Sequence, residues 1–184
     1  NWNSNLGDNR DLGDIINVYS IDGIPCCIPS IQWANDYFYI STYFEETIWK
    51  YNLESGLVEA FLQPGFPVWS MVFVGDNLWI SDDAGNVFGY NMEGDLIGSF
   101  STPYYGYVGL GWDGDYFIAY SDGYSVLYRL DYTGSIIETF DATNIANLWM
   151  SDIVWVSSHD AGEIWVKDYV DSVYQLSLES GNIE

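Results

Sequence analysis

Three short runs decide the fold of this chain: Phe73-Val-Gly-Asp76-Asn-Leu-Trp-Ile-Ser81, Val87-Phe-Gly-Tyr90-Asn91 and Asp95-Leu-Ile-Gly-Ser-Phe100. Each alternates apolar with small or polar residues, the period of two that sends successive side chains to opposite faces of a strand. Gly75-Asp76-Asn77 and Glu93-Gly94-Asp95 separate them with the residues that tight hairpins require. The pattern occurs three more times. Before it stand Trp33–Ser41, Ile48–Asn52 and Gly56–Phe61; after it come Trp112–Tyr120, Leu127–Asp131 and Ser135–Phe140. The last unit holds Trp155–His159, Ile164–Lys167 and Val173–Leu176, stretched by a longer hairpin around Ser157–Gly162. Asp36, Asp76 and Asp115 mark a period of about 40 residues.

A repeat of that length with four alternating strands is the signature of a β-propeller blade. The alternation packs one row of each strand against the preceding blade and the other against the following one. The predicted fold is therefore all-β, a four-bladed β-propeller of four-stranded antiparallel blades in one domain, 1–184. It divides into an N-terminal lead (1–13), a closing outer strand (14–20) and blades at 28–62, 66–101, 105–141 and 147–184. Asp14-Ile-Ile-Asn-Val-Tyr19 matches the fourth-strand runs Leu57–Phe61, Leu96–Phe100 and Ile136–Phe140. We expect this N-terminal strand to complete the last blade, because closure removes two sheet edges that would otherwise template aggregation. One alternative stays open. Gly181-Asn-Ile-Glu184 resembles the start of a fourth strand, as in Gly56–Glu59. The N-terminal strand would then complete a neighbouring molecule, giving self-association into a dimer or a filament.

Composition narrows the function. The 184 residues carry 27 Asp and Glu against 4 Lys and Arg, a formal charge of −23. Arg10, Lys50, Arg129 and Lys167 cannot form the basic stripe that displaces phosphate counterions, so nucleic acid is excluded as a partner. An anionic membrane surface is disfavoured for the same reason, and no apolar run reaches the ~20 residues of a membrane span. Disorder is excluded by 48% apolar content with 9 Trp, 16 Tyr and 9 Phe. The scarcity of Lys beside abundant Tyr, Trp, Asn and Ser leads us to expect an extracellular or cell-surface protein, and Asn1 a processed chain or a fragment.

Trp112-Asp-Gly-Asp-Tyr-Phe-Ile118 and Leu127-Tyr-Arg-Leu-Asp-Tyr-Thr-Gly-Ser-Ile-Ile-Glu-Thr-Phe140 carry a resemblance to secreted bacterial propeller repeats. Those blades read roughly Gly-Leu-x-Trp-Asp-Gly, Leu-Trp-Val and Tyr-x-Leu-Asp-x-x-Thr-Gly, then an apolar strand ending in Phe. The group is similar to the NHL, streptogramin-lyase and gluconolactonase-type propellers. The resemblance runs from Ile15 to Ile183 and implies the fold, since its motifs are turn and packing residues. The Gly-His pair of WD repeats is missing, and their Trp-Asp pair does not recur from blade to blade. Such relatives usually have more blades, which implies a fragment or a subunit of a larger ring.

The candidate sites follow. His159 is the one histidine and lies beside Asp160 in the long hairpin, where a solvated residue is the default. A streptogramin-lyase-like activity leans on a histidine and an acidic magnesium site, and no second histidine is present. A gluconolactonase-like activity needs a Glu/Asn/Asp metal cluster in the central channel. Asp152 and Asn147 fall near a channel-proximal strand start, where the other blades place Ser30, Ser70 and Gly109. A metal-dependent enzyme of the lactonase or lyase kind is thus the competing class. No cofactor is required by the leading reading, although Ca²⁺ suits the oxygen-rich loops Asp8–Asp11–Asp14, Asp82–Asp83 and Asp113–Asp115. Adjacent Cys26 and Cys27 leave three outcomes open: a vicinal disulfide, free or buried thiols, or intermolecular pairing. Phe66, Trp69, Tyr104, Tyr105, Tyr107 and Trp149 all precede inner strands. They are expected to ring the channel mouth as a surface for a carbohydrate or protein ligand. The leading expectation is a noncatalytic binding or assembly module.

Overall fold

The computed structural model describes residues 21, 23–25, 27–103, 105–121, 126–142, 150–157, 164–168 and 173–176. These residues form strands and no helix, arranged as the predicted four-bladed propeller. Blade 1 contains β1 (Ile31–Ala34), β2 (Tyr37–Thr42), β3 (Thr47–Tyr51) and β4 (Val58–Leu62). Blade 2 contains β5 (Ser70–Val74), β6 (Asn77–Ser81), β7 (Asn86–Tyr90) and β8 (Leu96–Ser101). Blade 3 contains β9 (Val108–Trp112), β10 (Phe117–Ser121), β11 (Val126–Leu130) and β12 (Ile136–Asp141). Blade 4 contains β13 (Met150–Trp155), β14 (Ile164–Asp168) and β15 (Val173–Leu176). Every blade is an antiparallel meander with its strands in chain order. The strand expected at 14–20 and its alternative at Gly181–Glu184 lie outside the described residues, as does the question of which completes blade 4.

Local chemistry sets the hairpins. Ala34 pairs with Tyr37, leaving Asn35 and Asp36 as the loop, and both have positive φ (49° and 64°). That is a type I′ turn, whose twist matches the flanking strands. In blade 2 the loop is Gly75-Asp76, with only Gly75 at positive φ (60°), a type II′ turn. On the outer side, Asn52, Asn91 and Asp131 each turn a side-chain oxygen onto backbone N–H groups two to four residues on.

The alternation then builds the seams between blades. Tyr39 and Ile48 of blade 1 pack with Met71, Leu78, Ile80 and Tyr90 of blade 2. Val72, Val74, Trp79 and Phe100 of blade 2 pack with Leu110, Phe117, Tyr128 and Leu130 of blade 3. Ile118, Tyr120 and Leu127 of blade 3 pack with Ile153, Ile164, Val166 and Leu176 of blade 4. Aromatic side chains meet here in edge-to-face contacts such as Trp79–Phe117 (centroids 5.0 Å) and Tyr39–Phe73 (5.1 Å).

Candidate functional site

Two regions hold the polar and aromatic residues the sequence singled out: the axis of the ring and its upper face. At the axis, Ser30 precedes β1, Ser70 opens β5, Gly109 sits in β9 and Asp152 in β13. These inner strands converge, and their side chains bond to one another across blades. Ser70 Oγ donates to Asp152 Oδ1 at 2.9 Å, and Ser30 Oγ donates to Asp152 Oδ2 at 3.1 Å. The two hydroxyls also accept from the next blade, Ser30 from Met71 N (3.3 Å) and Ser70 from Leu110 N (3.1 Å). Ser41 and Ser81, one strand out, receive the backbone N–H groups of Ser30 and Ser70.

Asp152 is the one carboxylate in this cluster of described residues. Burial raises it from the ordinary aspartate range to about 7. The hydrogen bonds from Ser70, Ser30 and the Ile153 N–H, then the charge of Lys167, pull in the opposite direction without cancelling it. Neutral hydroxyls are weaker compensation for a buried negative charge than a paired cation would be. The set expected for a channel metal enzyme needs several carboxylate or amide oxygens. The described axis brings together one carboxylate and two serines, while Asn147 lies outside the described residues.

The upper face is formed by the loops between the second and third strands of each blade and those leading into each inner strand. Topology places both loop types on the same side. Phe44 and Tyr43, in the β2–β3 loop, meet at 5.3 Å; Tyr43 meets Trp69 at 6.3 Å; Trp69 stacks on Tyr107 at 4.2 Å with 29° between planes. A chain of four rings therefore crosses from blade 1 to the entrance of blade 3. Burial holds the Tyr43 hydroxyl above its usual range, helped by the neighbouring Tyr107 phenol and by the negative charge of Asp83. Trp69 is only 9% exposed, and its indole N–H has no acceptor among the described residues. Phe44, at one end of the row, is largely exposed, and so is Tyr105 (82%), two residues before Tyr107 in the chain.

The predicted aromatic set is thus divided. Trp69 and Tyr107 come together, while Phe66 is drawn into the seam between blades 1 and 2, against Phe88 at 4.7 Å. Tyr104 and Trp149 lie outside the described residues. Tyr43 and Phe44 were not anticipated, because they sit after a second strand rather than before an inner one. Sequence carries a signal for them, an aromatic pair in a hairpin turn, once both loop types are known to share a face.

The expected calcium loops are placed as follows. Asp82 accepts from Ala84 N (2.9 Å), Asn86 N (2.7 Å) and Asn86 Nδ2 (2.7 Å), so both oxygens stabilise its own turn. Asp113 accepts from Asp115 N (2.9 Å), Tyr116 N (2.7 Å) and Arg129 Nε (2.8 Å). Asp83 is half-buried beside Tyr43, and Asp115 is exposed. Among the described residues no three His, Cys, Asp or Glu side chains converge as a cation site. Asp8, Asp11, Asp14 and His159 lie outside them. So does Cys26, and with it the pairing of the two cysteines; Cys27 is exposed at a positive φ of 65°, its carbonyl accepting from Tyr43 N.

The sequence matches no protein-family model and no curated relative. Solved structures are similar in fold. The WD40 β-propeller domain of Doa1 superposes with a TM-score of 0.66 at 16% identity, over 91% of this chain and 55% of that one. Streptogramin B lyase gives 0.60 at 17%, over 85% and 53%. Glutaminyl cyclase from Myxococcus xanthus gives 0.60 at 14%, over 76% and 66%. The chain spans between 53% and 66% of the length of these proteins. At such identities the likeness is one of fold, and it agrees with the strand pairing: the chain is a four-bladed β-propeller.

Proposed function

We propose that this propeller is a noncatalytic extracellular or cell-surface binding module, and that its upper face takes a segment of a protein partner. The row of rings Phe44–Tyr43–Trp69–Tyr107 carries the reading. It is continuous across three blades, ends on exposed Phe44, and is set on loops that a rigid scaffold positions. Aromatic side chains supply large contact area at low entropic cost, which suits a recognition surface. The partner segment is expected to carry Lys or Arg. Asp83 lies beside the rings, and a formal charge of −23 steers cations toward the surface and anions away. That one structure similar in fold is a WD40 domain and two others are enzymes leaves both classes open. The cross-blade serines on Asp152 favour a structural axis over a catalytic one.

Selection from a displayed random-peptide library tests the proposal. Enriched peptides should be basic, and Phe44→Ala and Tyr107→Ala should each weaken them at least about tenfold while melting remains cooperative. Enrichment that both variants leave unchanged would place binding elsewhere. Binding to a glycan array through the same rings, insensitive to salt, would replace the protein ligand by a carbohydrate.

A further inference from the structure

The outer strands β4, β8 and β12 each end their sheet, so each turns one row of backbone N–H and C=O groups away from its blade. A bulge interrupts all three: Phe61, Ile97 and Ile137 fall between residues paired with the neighbouring strand. The longest regular tracts are then 58–60, 98–101 and 138–141. Two of them carry acids. Glu59 lies in the first, paired with Lys50 at 3.5 Å. Glu138 lies in the third, paired with Arg129 at 3.0 Å, and Asp141 ends it. Both ion pairs occupy the same register, where blade 2 sets Gly89 opposite Gly98. Gly98-Ser-Phe-Ser101 is therefore an uncharged edge in a chain of charge −23. Ser99 and Ser101 are exposed on it, and Leu96 and Ile97, at the start of the strand, are 57% and 47% exposed.

We propose that β8 is a homodimer edge, pairing antiparallel with β8 of a second copy about a twofold axis and joining the two blade 2 sheets. An unpaired edge takes another strand, and charge decides which one. A basic segment from elsewhere would be held by acids, and the tract 98–101 has none to offer it. A second copy needs none. With the axis between Ser99 and Phe100, Gly98 lies opposite the second copy's Ser101 and Ser99 opposite its Phe100, uncharged against uncharged. Centred in the same way, β4 would set Glu59 against its own copy, and β12 would set Glu138 against Asp141. Like charges directly opposite destabilise a strand pair, so β8 is the one of the three that can pair with itself. A ladder this short falls below the ~1,000 Å² of a stable interface, so the dimer is weak and forms at high concentration. β8 runs towards the upper face, and antiparallel pairing therefore points the two upper faces in opposite directions. With the aromatic row as the ligand surface proposed above, the dimer bridges two partner molecules; the pairing itself rests on β8 alone.

Sedimentation equilibrium of the whole chain, from about 10 μM to about 1 mM and at about 0.02 and about 0.5 M salt, tests the proposal. The average mass should rise from one chain toward two with concentration. It should rise further at the higher salt, which screens the repulsion between two acidic copies. Over the same range the amides of 98–101 should gain protection from hydrogen exchange while those of β12 do not. Ser99→Glu, at an exposed position, should weaken dimerisation at least about tenfold. Thr139→Glu adds the same charge at the matching exposed position of β12 and should leave dimerisation unchanged. If Ser99→Glu fails to fold, the exchange protection of 98–101 in the native chain decides. A chain that stays monomeric at the higher salt, equal effects of the two variants, unchanged protection of 98–101, or masses beyond two copies would overturn the proposal.

Discussion

Gly89→Ala tests whether the seams are packed as described, because the side chain it adds has nowhere to go. A Cβ at Gly89 would lie 2.7 Å from Trp79 Cε2 and Cζ2 and 2.9 Å from Cδ2. Carbon atoms in contact normally sit about 3.5–4.0 Å apart. Trp79 cannot step aside easily, being held between Phe117 (5.0 Å), Phe100 (6.0 Å) and Tyr132 (6.0 Å). Overpacking of this kind costs about 1–3 kcal/mol. The Gly→Ala change itself returns up to about 1 kcal/mol by restricting the unfolded chain. A net loss of about 1–2 kcal/mol lowers the melting temperature of a domain this size by about 2–8 °C. Gly98→Ala is the internal control, since its Cβ would meet only Trp79 Cη2, at 3.3 Å. Urea titrations followed by far-UV circular dichroism should show a lower midpoint for Gly89→Ala and almost none of that loss for Gly98→Ala. Equal stability of Gly89→Ala and the native chain would refute the packing of Trp79 across this strand, and with it the register of blade 2.

Other consequences concern the acidic turns. Asp82→Ala removes three hydrogen bonds from a buried carboxylate and should cost about 2–3 kcal/mol by thermal melting, with Asp82→Asn intermediate. Because the oxygens of Asp82 and Asp113 are already engaged, any rise in melting temperature on adding calcium should disappear in an Asp8→Asn/Asp11→Asn/Asp14→Asn variant. A calcium shift that survives that variant would place the ion in the described loops instead.

The fold was legible because the signals that encode it are local and repeated. Asn35-Asp36 and Gly75-Asp76 state their turn types in two residues, and a two-residue period states which face of each strand is covered. The site was legible in part. The position of Asp152 at the axis could be aligned with Ser30, Ser70 and Gly109, but not the fact that two serines from two blades would reach the same carboxylate. That depends on how far apart the inner strands stand, a property of ring closure and not of any one repeat. Phe66 shows the converse. Its position before an inner strand matched that of Trp69, yet apolar surface on Phe88 and the seam below drew it into the core. The nearness of Tyr43 and Phe44 to Trp69 is not legible in sequence, because a turn after a second strand and a loop before an inner strand meet only in three dimensions.

The central claim is that this acidic ring recognises a partner through the aromatic row on its upper face. Calorimetric titration of a library-selected basic peptide into the native chain and into Phe44→Ala measures it most directly, since Phe44 is exposed and its loss leaves the core untouched. Saturable binding is expected, at least about tenfold weaker in the variant and declining with added salt. Undiminished affinity in Phe44→Ala, with the variant folded, would contradict it.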